Sequence, residues 1–335
     1  MQIRPISPPE HGELLALVDD ELRPAGAVTR AVEDYPVALD LANQEDLWVL
    51  EEGGEIAACL ACLVRPFVTS LGELQVAAIG SVVTRPKWRG QGLSSRLQGE
   101  VLTQLRERQV TLAVLWSDHP EWYLGRGFEP AGVEYHLDLA HWQPSSPDGR
   151  DILDARVRSF RADDISAVGR LYRCHQYHTR RSELDDRRLY NMRGTRGLVL
   201  ADRQDNVLAY AFCGKGADFP AYVHEWGGEP WQVAVLLQRL HAISAVHRVL
   251  VPQGAESLLA RLTHEGCSWF SHCCGLWCVL NSSLLLERAA ERLPNENFSI
   301  PENPHSAVTW LGCVDNGGHV VTGPCQLAIW GFDSV

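Results

Sequence analysis

The stretch Arg89-Gly90-Gln91-Gly92-Leu93-Ser94-Ser95 is composed to hold an anion. Before it, the β-branched run Ile79 to Thr84 reads as a buried strand, broken at Arg85-Pro86. After it, an amphipathic helix begins near Leu93. A strand that turns through glycines into a helix start leaves backbone N–H groups free at the positive end of the helix dipole. Such a site suits a pyrophosphate. Gly90 and Gly92 allow the backbone to approach phosphates with no Cβ in the way. The loop lacks the Gly-Lys-Ser/Thr of a P-loop, and the third glycine and later acid of a dinucleotide fingerprint. Its composition also fits an ordinary strand-to-helix turn.

A second group of residues narrows the reading. After the helix, Leu93 to Arg108, comes an apolar strand, Thr111 to Trp116, and then Glu121-Trp122-Tyr123-Leu124-Gly125-Arg126-Gly127-Phe128. The loop resembles the acyl-CoA loop of the GNAT superfamily of N-acetyltransferases, Arg/Gln-x-x-Gly-x-Gly/Ala. Arg89 and Gly92 match, and Ser94 stands in the place of the last small residue. The later segment resembles the ending "aromatic-Tyr-x-x-x-Gly-Phe" of the same superfamily, with Tyr123 in the tyrosine place. Ser117 and Pro120 depart from the Asn and Ala often found six and three residues before that tyrosine.

The resemblance implies a mixed, mostly antiparallel sheet flanked by helices, an α+β fold, with acetyl-CoA as cosubstrate and no metal. It implies that the N–H groups of Gly90, Gln91, Gly92, Leu93, Ser94 and Ser95 hold the pyrophosphate beside Arg89. Val82, Val83 and Thr84 would line the pantetheine arm, where one N–H could polarise the thioester carbonyl. Tyr123 would give its proton to the departing thiolate. The acceptor would be a primary amine of a small molecule or peptide. The base is open among Glu73, Asp118, His119, Asp333, the Val335 carboxylate and an ordered water, since Gln75 to Val83 contains no acid. A different class of function also fits: a non-catalytic acyl-CoA-binding or scaffold protein that keeps the loop and has lost the reaction.

Composition limits the partners. At 335 residues the chain suggests two domains. No secretory leader is seen at Met1-Gln2-Ile3-Arg4-Pro5 and no apolar run reaches the length of a membrane span, so a cytoplasmic protein is expected. Residues 1–150 carry 12 Lys/Arg against 22 Asp/Glu, a net of −10, and residues 151–335 carry 18 against 20, a net of −2. With no basic stripe, nucleic acid is not expected as a partner. The acids before Gly54 favour a cationic acceptor or form a solvated face. The ten cysteines are scattered. No Cys-x-x-Cys pair is expected, with Cys59 and Cys62 in one strand-like run and read as too far apart for it; Cys273, Cys274 and Cys278 stand near His272, and Cys174 near His175 and His178. They read as small hydrophobes rather than zinc ligands.

Stepping along the chain, the order β-α-α-β-β-β-α-β-α-β is expected for residues 1–140, the catalytic domain. It includes a helix over Val32 to Leu41 and a last strand through Leu139. Residues 141–151, with Pro144-Ser145-Ser146-Pro147-Asp148-Gly149, read as a linker. Residues 152–335 then repeat the pattern as a degenerate GNAT-like domain, ending in strand-like runs Ser268 to Leu280, His305 to Leu311 and Gln326 to Trp330. Its counterpart of the loop is Gly227-Gly228-Glu229-Pro230-Trp231, with no arginine and with a carboxylate, so no CoA is expected there. This domain would shape the acceptor pocket or an oligomer interface. The apolar C-terminus should be docked, which brings Asp333 or the terminal carboxylate toward the acceptor pocket as one option, or merely closes a sheet as the other.

Overall fold

Alternating and continuous apolar runs build the strands, and the apolar faces of short amphipathic helices cover them. The computed structural model describes residues 1–335 except 24, 145–154, 217, 245, 294–301, 316 and 334–335. In the first half the elements are β1 (Gln2–Pro5), α1 (His11–Leu22), α2 (Ala31–Asp34), β2 (Leu47–Glu52), β3 (Glu55–Thr69) and β4 (Gly72–Thr84). There follow α3 (Leu93–Glu107), β5 (Leu112–Leu115), α4 (Pro120–Leu124), β6 (Glu129–Pro130) and β7 (Glu134–Asp138). The second half begins with β8 (Ala155–Ser159), α5 (Ile165–Tyr172), β9 (His178–Thr179), α6 (Glu183–Tyr190), β10 (Arg196–Asp202) and β11 (Val207–Lys215). It continues with β12 (Asp218–Gly227), α7 (Pro230–Ser244), β13 (Arg248–Pro252), α8 (Glu256–His264), β14 (Ser268–His272) and β15 (Leu276–Val279). Helices α9 (Ser282–Arg292) and α10 (Ala307–Leu311) and the small hairpin β16 (Gly312–Val314) and β17 (Val320–Thr322) complete it.

Two sheets repeat one plan. The first runs β1-β2-β3-β4-β5-β15-β6, with β9 added beside β3; the second, read from its other edge, runs β8-β10-β11-β12-β13-β7-β14. Each has a single parallel pair, β4 with β5 and β12 with β13. The two halves exchange strands reciprocally. The last strand expected for the first domain is present as β7, but it lies in the second sheet, between β13 and β14. In return β15 sits between β5 and β6. A core that joins Leu63, Phe67, Leu74 and Val76 to Leu198, Tyr210, Trp310 and Trp330 runs through both halves. The fold is therefore the mixed α+β GNAT fold followed by a second GNAT-like unit, with the sheets interlocked.

Several expectations are corrected. The helix over Val32 to Leu41 stops at Asp34, because the residue before Pro36 is pushed out of helical conformation; Tyr35 has φ −128° and ψ 61°. Ser268 to Leu280 is two strands in different sheets, parted at Gly275 with φ 125°. Residues 307–311 are helical, and Gln326 to Trp330 is buried chain outside any sheet. Cys59 and Cys62 do stand at Cys-x-x-Cys spacing, but residues three apart on a strand face opposite ways. Cys59 packs beneath α1 and Cys62 beneath α3. Residues 145–151 of the expected linker lie outside the described residues.

Candidate active site

The site begins where β4 leaves its parallel neighbour. Val76, Ala77 and Ala78 pair with Leu112, Ala113 and Val114, and no pairing with β5 continues past Ala78 among the described residues. On its other side β4 stays paired to β3, but Ser81 and Val82 together face the single residue Leu60. This bulge holds Ser81 at φ 51°, a left-handed backbone that bends the strand and re-aims its groups. The gap so opened is a cleft of about 970 Å³. Ile79, Gly80, Ser81, Val82 and Ser94 line one side, Leu115 to His119 and Glu121 to Tyr123 another, and Leu22, Arg23, Tyr35 and Phe219 the far end.

The loop leads into this cleft at Ser94. Gly90 and Gly92 adopt φ 77° and 73°, and a Cβ on either would meet nothing within 4 Å. Gly92 caps α3 in the left-handed conformation. None of the N–H groups from Gly90 to Ser95 donates to a backbone acceptor among the described residues, and the first is that of Arg96, to Gly92 O at 3.1 Å. Thr84 Oγ1 and Ser94 Oγ share a hydrogen bond that ties the strand end to the helix start. Val83 turns its side chain away, into the core beneath α1. Leu93 is buried beneath α3 and Gln91 is exposed. Arg89 donates from Nε to Thr84 O at 3.1 Å and pairs with Glu21 of α1, so its guanidinium braces the loop.

One residue beside the loop, Arg126, was not assigned from sequence. Arg126 donates from Nη2 to Ser95 Oγ at 3.1 Å and lies 4.0 Å over the Trp122 ring. It adds a cation at the same helix start. Its place inside the tyrosine motif was the available signal. Tyr123 sits in the cleft wall, edge-on to Trp122 at 4.6 Å and to Phe128 at 5.9 Å. Burial raises its phenol above the ordinary value, while a hydrogen bond with Ser117 and the charge of Arg126 act the other way. The phenol therefore keeps its proton at neutral pH.

The base candidates separate. Glu73, at the far end of β4, is exposed, paired with Arg180 at 3.0 Å, and absent from the cleft wall. Asp118 and His119 line the cleft, with His119 exposed and 3.6 Å from Glu121. Asp333 is docked between the halves, but its carboxylate accepts from Arg181 at 2.8 and 2.7 Å and from Tyr172 at 2.5 Å. Burial opposes that charge and Arg181 outweighs it, so the carboxyl stays below its usual range. Val335 lies outside the described residues. Among the described residues no group of three or more His, Cys, Asp or Glu could hold a metal. No helix among them is long and apolar enough to cross a membrane.

The splayed strand, the bulge and the glycine loop that opens a helix stand in the order that the sequence resemblance implies. Residues 2–131 match the family model described as an acetyltransferase (GNAT) domain, so that stretch is a GNAT domain. A probable N-acyltransferase of unknown function from Enterococcus faecalis V583 superposes with TM-score 0.65 at 14% identity, over 86% of this chain and 74% of its own. A GCN5-related N-acetyltransferase from Kribbella flavida gives 0.60 at 16%, over 83% and 70%. Eis1 from Mycobacterium abscessus gives 0.59 at 14%, over 86% and 76%. These likenesses are of fold, and they extend well past residue 131. No curated protein sequence matches the chain.

Proposed function

We propose that the protein is an acetyl-CoA-dependent N-acetyltransferase acting on a primary amine of a small molecule or peptide by direct attack. Its acyl-CoA site would lie in residues 1–140, with none in residues 152–335. The observation that carries this reading is convergence: Ser94 at the start of α3, the unpaired edge of β4 from Ile79 to Val82 and the protonated Tyr123 all border one cleft, and the N–H groups of residues 90–95 next to it make no backbone hydrogen bond among the described residues. The open space over Gly90 and Gly92 fits a pyrophosphate. Bound acetyl-CoA supplies an activated acyl thioester. The backbone N–H groups of Val82 to Thr84 are the candidates for holding its carbonyl oxygen, a contribution often of about 3 kcal/mol. Tyr123 holds the proton that a departing thiolate needs. Asp118 or His119, directly or through water, would take the proton of the amine, since Glu73 does not line the cleft.

The test is thioester consumption with a panel of primary amines, read against protein alone. Acetylated amine formed in step with free CoA is the expected result. Tight CoA binding with no acetylation of any amine, peptides included, would favour a non-catalytic acyl-CoA-binding protein.

A further inference from the structure

The far end of the cleft is built by both halves: Leu22, Tyr35 and Phe219 line it beside one cation, Arg23, which is paired with Asp34 at 2.7 Å. Leu22 and Tyr35 come from the segment around α1 and α2. Phe219 comes from the second half, at the tip of the β11–β12 hairpin. Phe219 has φ 49°, a backbone conformation that is a genuine outlier for a bulky side chain and persists only when its surroundings impose it. Those surroundings are visible. Lys215, 1% exposed, sends Nζ to Gly331 O at 3.2 Å and sits 5.6 Å from the Tyr35 ring and 5.9 Å from the Phe219 ring. Gly216 lies so close to Asp34 that a Cβ would stand 1.8 Å from Oδ1. Tyr222 meets the Phe219 ring edge-on at 5.9 Å. The hairpin tip is thus clamped onto the first half, and the clamp delivers a strained aromatic residue to the cleft wall.

Charge does not dominate that end. Glu13, Asp19 and Glu21 of α1 and Asp34 of α2 are paired with Arg85, Arg30, Arg89 and Arg23. These four carboxylates are therefore matched locally, and the net charge of −10 in residues 1–150, which already counts their arginines, is carried by other residues. The acids that remain on the cleft wall, Asp118 and Glu121, stand on the α4 side.

We propose that Phe219, with Tyr35 and Leu22, forms the acceptor-selecting wall, and that the acceptor is a primary amine carrying a flat apolar body. This rests on the reading of the cleft as the acyl-transfer site. Burying an aromatic body against three apolar side chains favours it over a short alkyl amine of equal charge by about tenfold. The second half then acts as the specificity element of the first.

The experiment measures equilibrium binding of phenethylamine, propylamine and spermidine to the full chain saturated with CoA, so it does not depend on turnover. Phenethylamine should bind about tenfold tighter than propylamine. Phe219→Gly should erase that preference with CoA affinity and melting temperature retained or raised, because glycine relieves the left-handed backbone. Phe219→Leu should keep part of it. Equal binding of phenethylamine and propylamine, tighter spermidine, or a preference unchanged in Phe219→Gly overturns the proposal. Failure of the acyl-transfer reading shows separately, as thioester left unconsumed.

Discussion

The two sheets share a strand order, yet the same place in each has opposite uses. In the first, β4 leaves β5 after Ala78, and the gap is an open cleft. In the second, among the described residues, β12 pairs with β13 at Tyr222 and Val223 alone, and the gap is filled. Trp226 donates to Leu250 O at 2.9 Å and packs on Trp330 and His175. The chain end, from Cys325 to Asp333, is almost wholly buried there. The loops differ likewise. A Cβ on Gly92 meets nothing within 4 Å, whereas one on Gly228 would strike Ala209 at 2.6 Å. Pro230 has no N–H, and that of Glu229 is taken by Gln232 at 3.2 Å. One fold thus gives an open cleft where donors are left free and a packed core where they are used. The comparison teaches that strand order positions the gap, while side chains at its mouth decide whether it stays open.

The comparison can be broken at several points. The largest effect is expected in the closed half. Arg181 is buried between Glu225 and Asp333. Removing one partner of such a group leaves buried charge uncompensated, so Arg181→Ala should cost about 3–5 kcal/mol in urea unfolding. A loss under about 1 kcal/mol would show that the network is dispensable. For the same reason deleting Phe332 to Val335 should lower stability along with activity; a truncated chain that melts normally contradicts this. In the open half, Tyr123→Phe should leave CoA affinity unchanged and lower turnover about 10²-fold. Unaltered turnover, with chemistry limiting, removes Tyr123 from the acid role.

Smaller effects sharpen the contrast. His175 and His224 lie in the closed half, where burial first of all presses their pKa down to about 4 and about 3. In the unfolded chain both return to about 6.5. The unfolded state then binds more protons between these values. Their contribution to stability is full above about pH 6.5 and falls as pH drops, by at most about 1.4 kcal/mol per pH unit for each group. Unfolding midpoints from pH 7 to pH 4.5 should show this slope, and His224→Gln should flatten it; an equal slope in the variant refutes the assignment. Smallest is Arg126→Ala, which should weaken CoA binding about fivefold. Calorimetry giving the same affinity as the parent would place Arg126 outside the site.

What could be read in advance follows from range. The strand-to-helix form of Arg89 to Ser95 and the place of Tyr123 beside it were legible because each motif is continuous in sequence. The β2–β3 and β10–β11 hairpins likewise turn at residues with local turn chemistry, Gly53-Gly54 and Arg203-Gln204-Asp205-Asn206. The exchange of β7 and β15 was not, because strand pairing across more than 100 residues leaves no mark in either segment's own pattern. Phe219 gave no signal, since an aromatic residue in a strand-like stretch looks like any other. Pro36 did carry one, and it ends α2 as proline chemistry requires.

The central claim is one open site and one closed counterpart. Titrating CoA into the full-length protein by calorimetry tests it directly, with Gly92→Asp and Glu229→Gln as variants. The expected result is one CoA per chain, lost in Gly92→Asp, where a carboxylate and a Cβ meet the phosphates, and untouched in Glu229→Gln. Two equivalents per chain, or undiminished binding in Gly92→Asp, would contradict it.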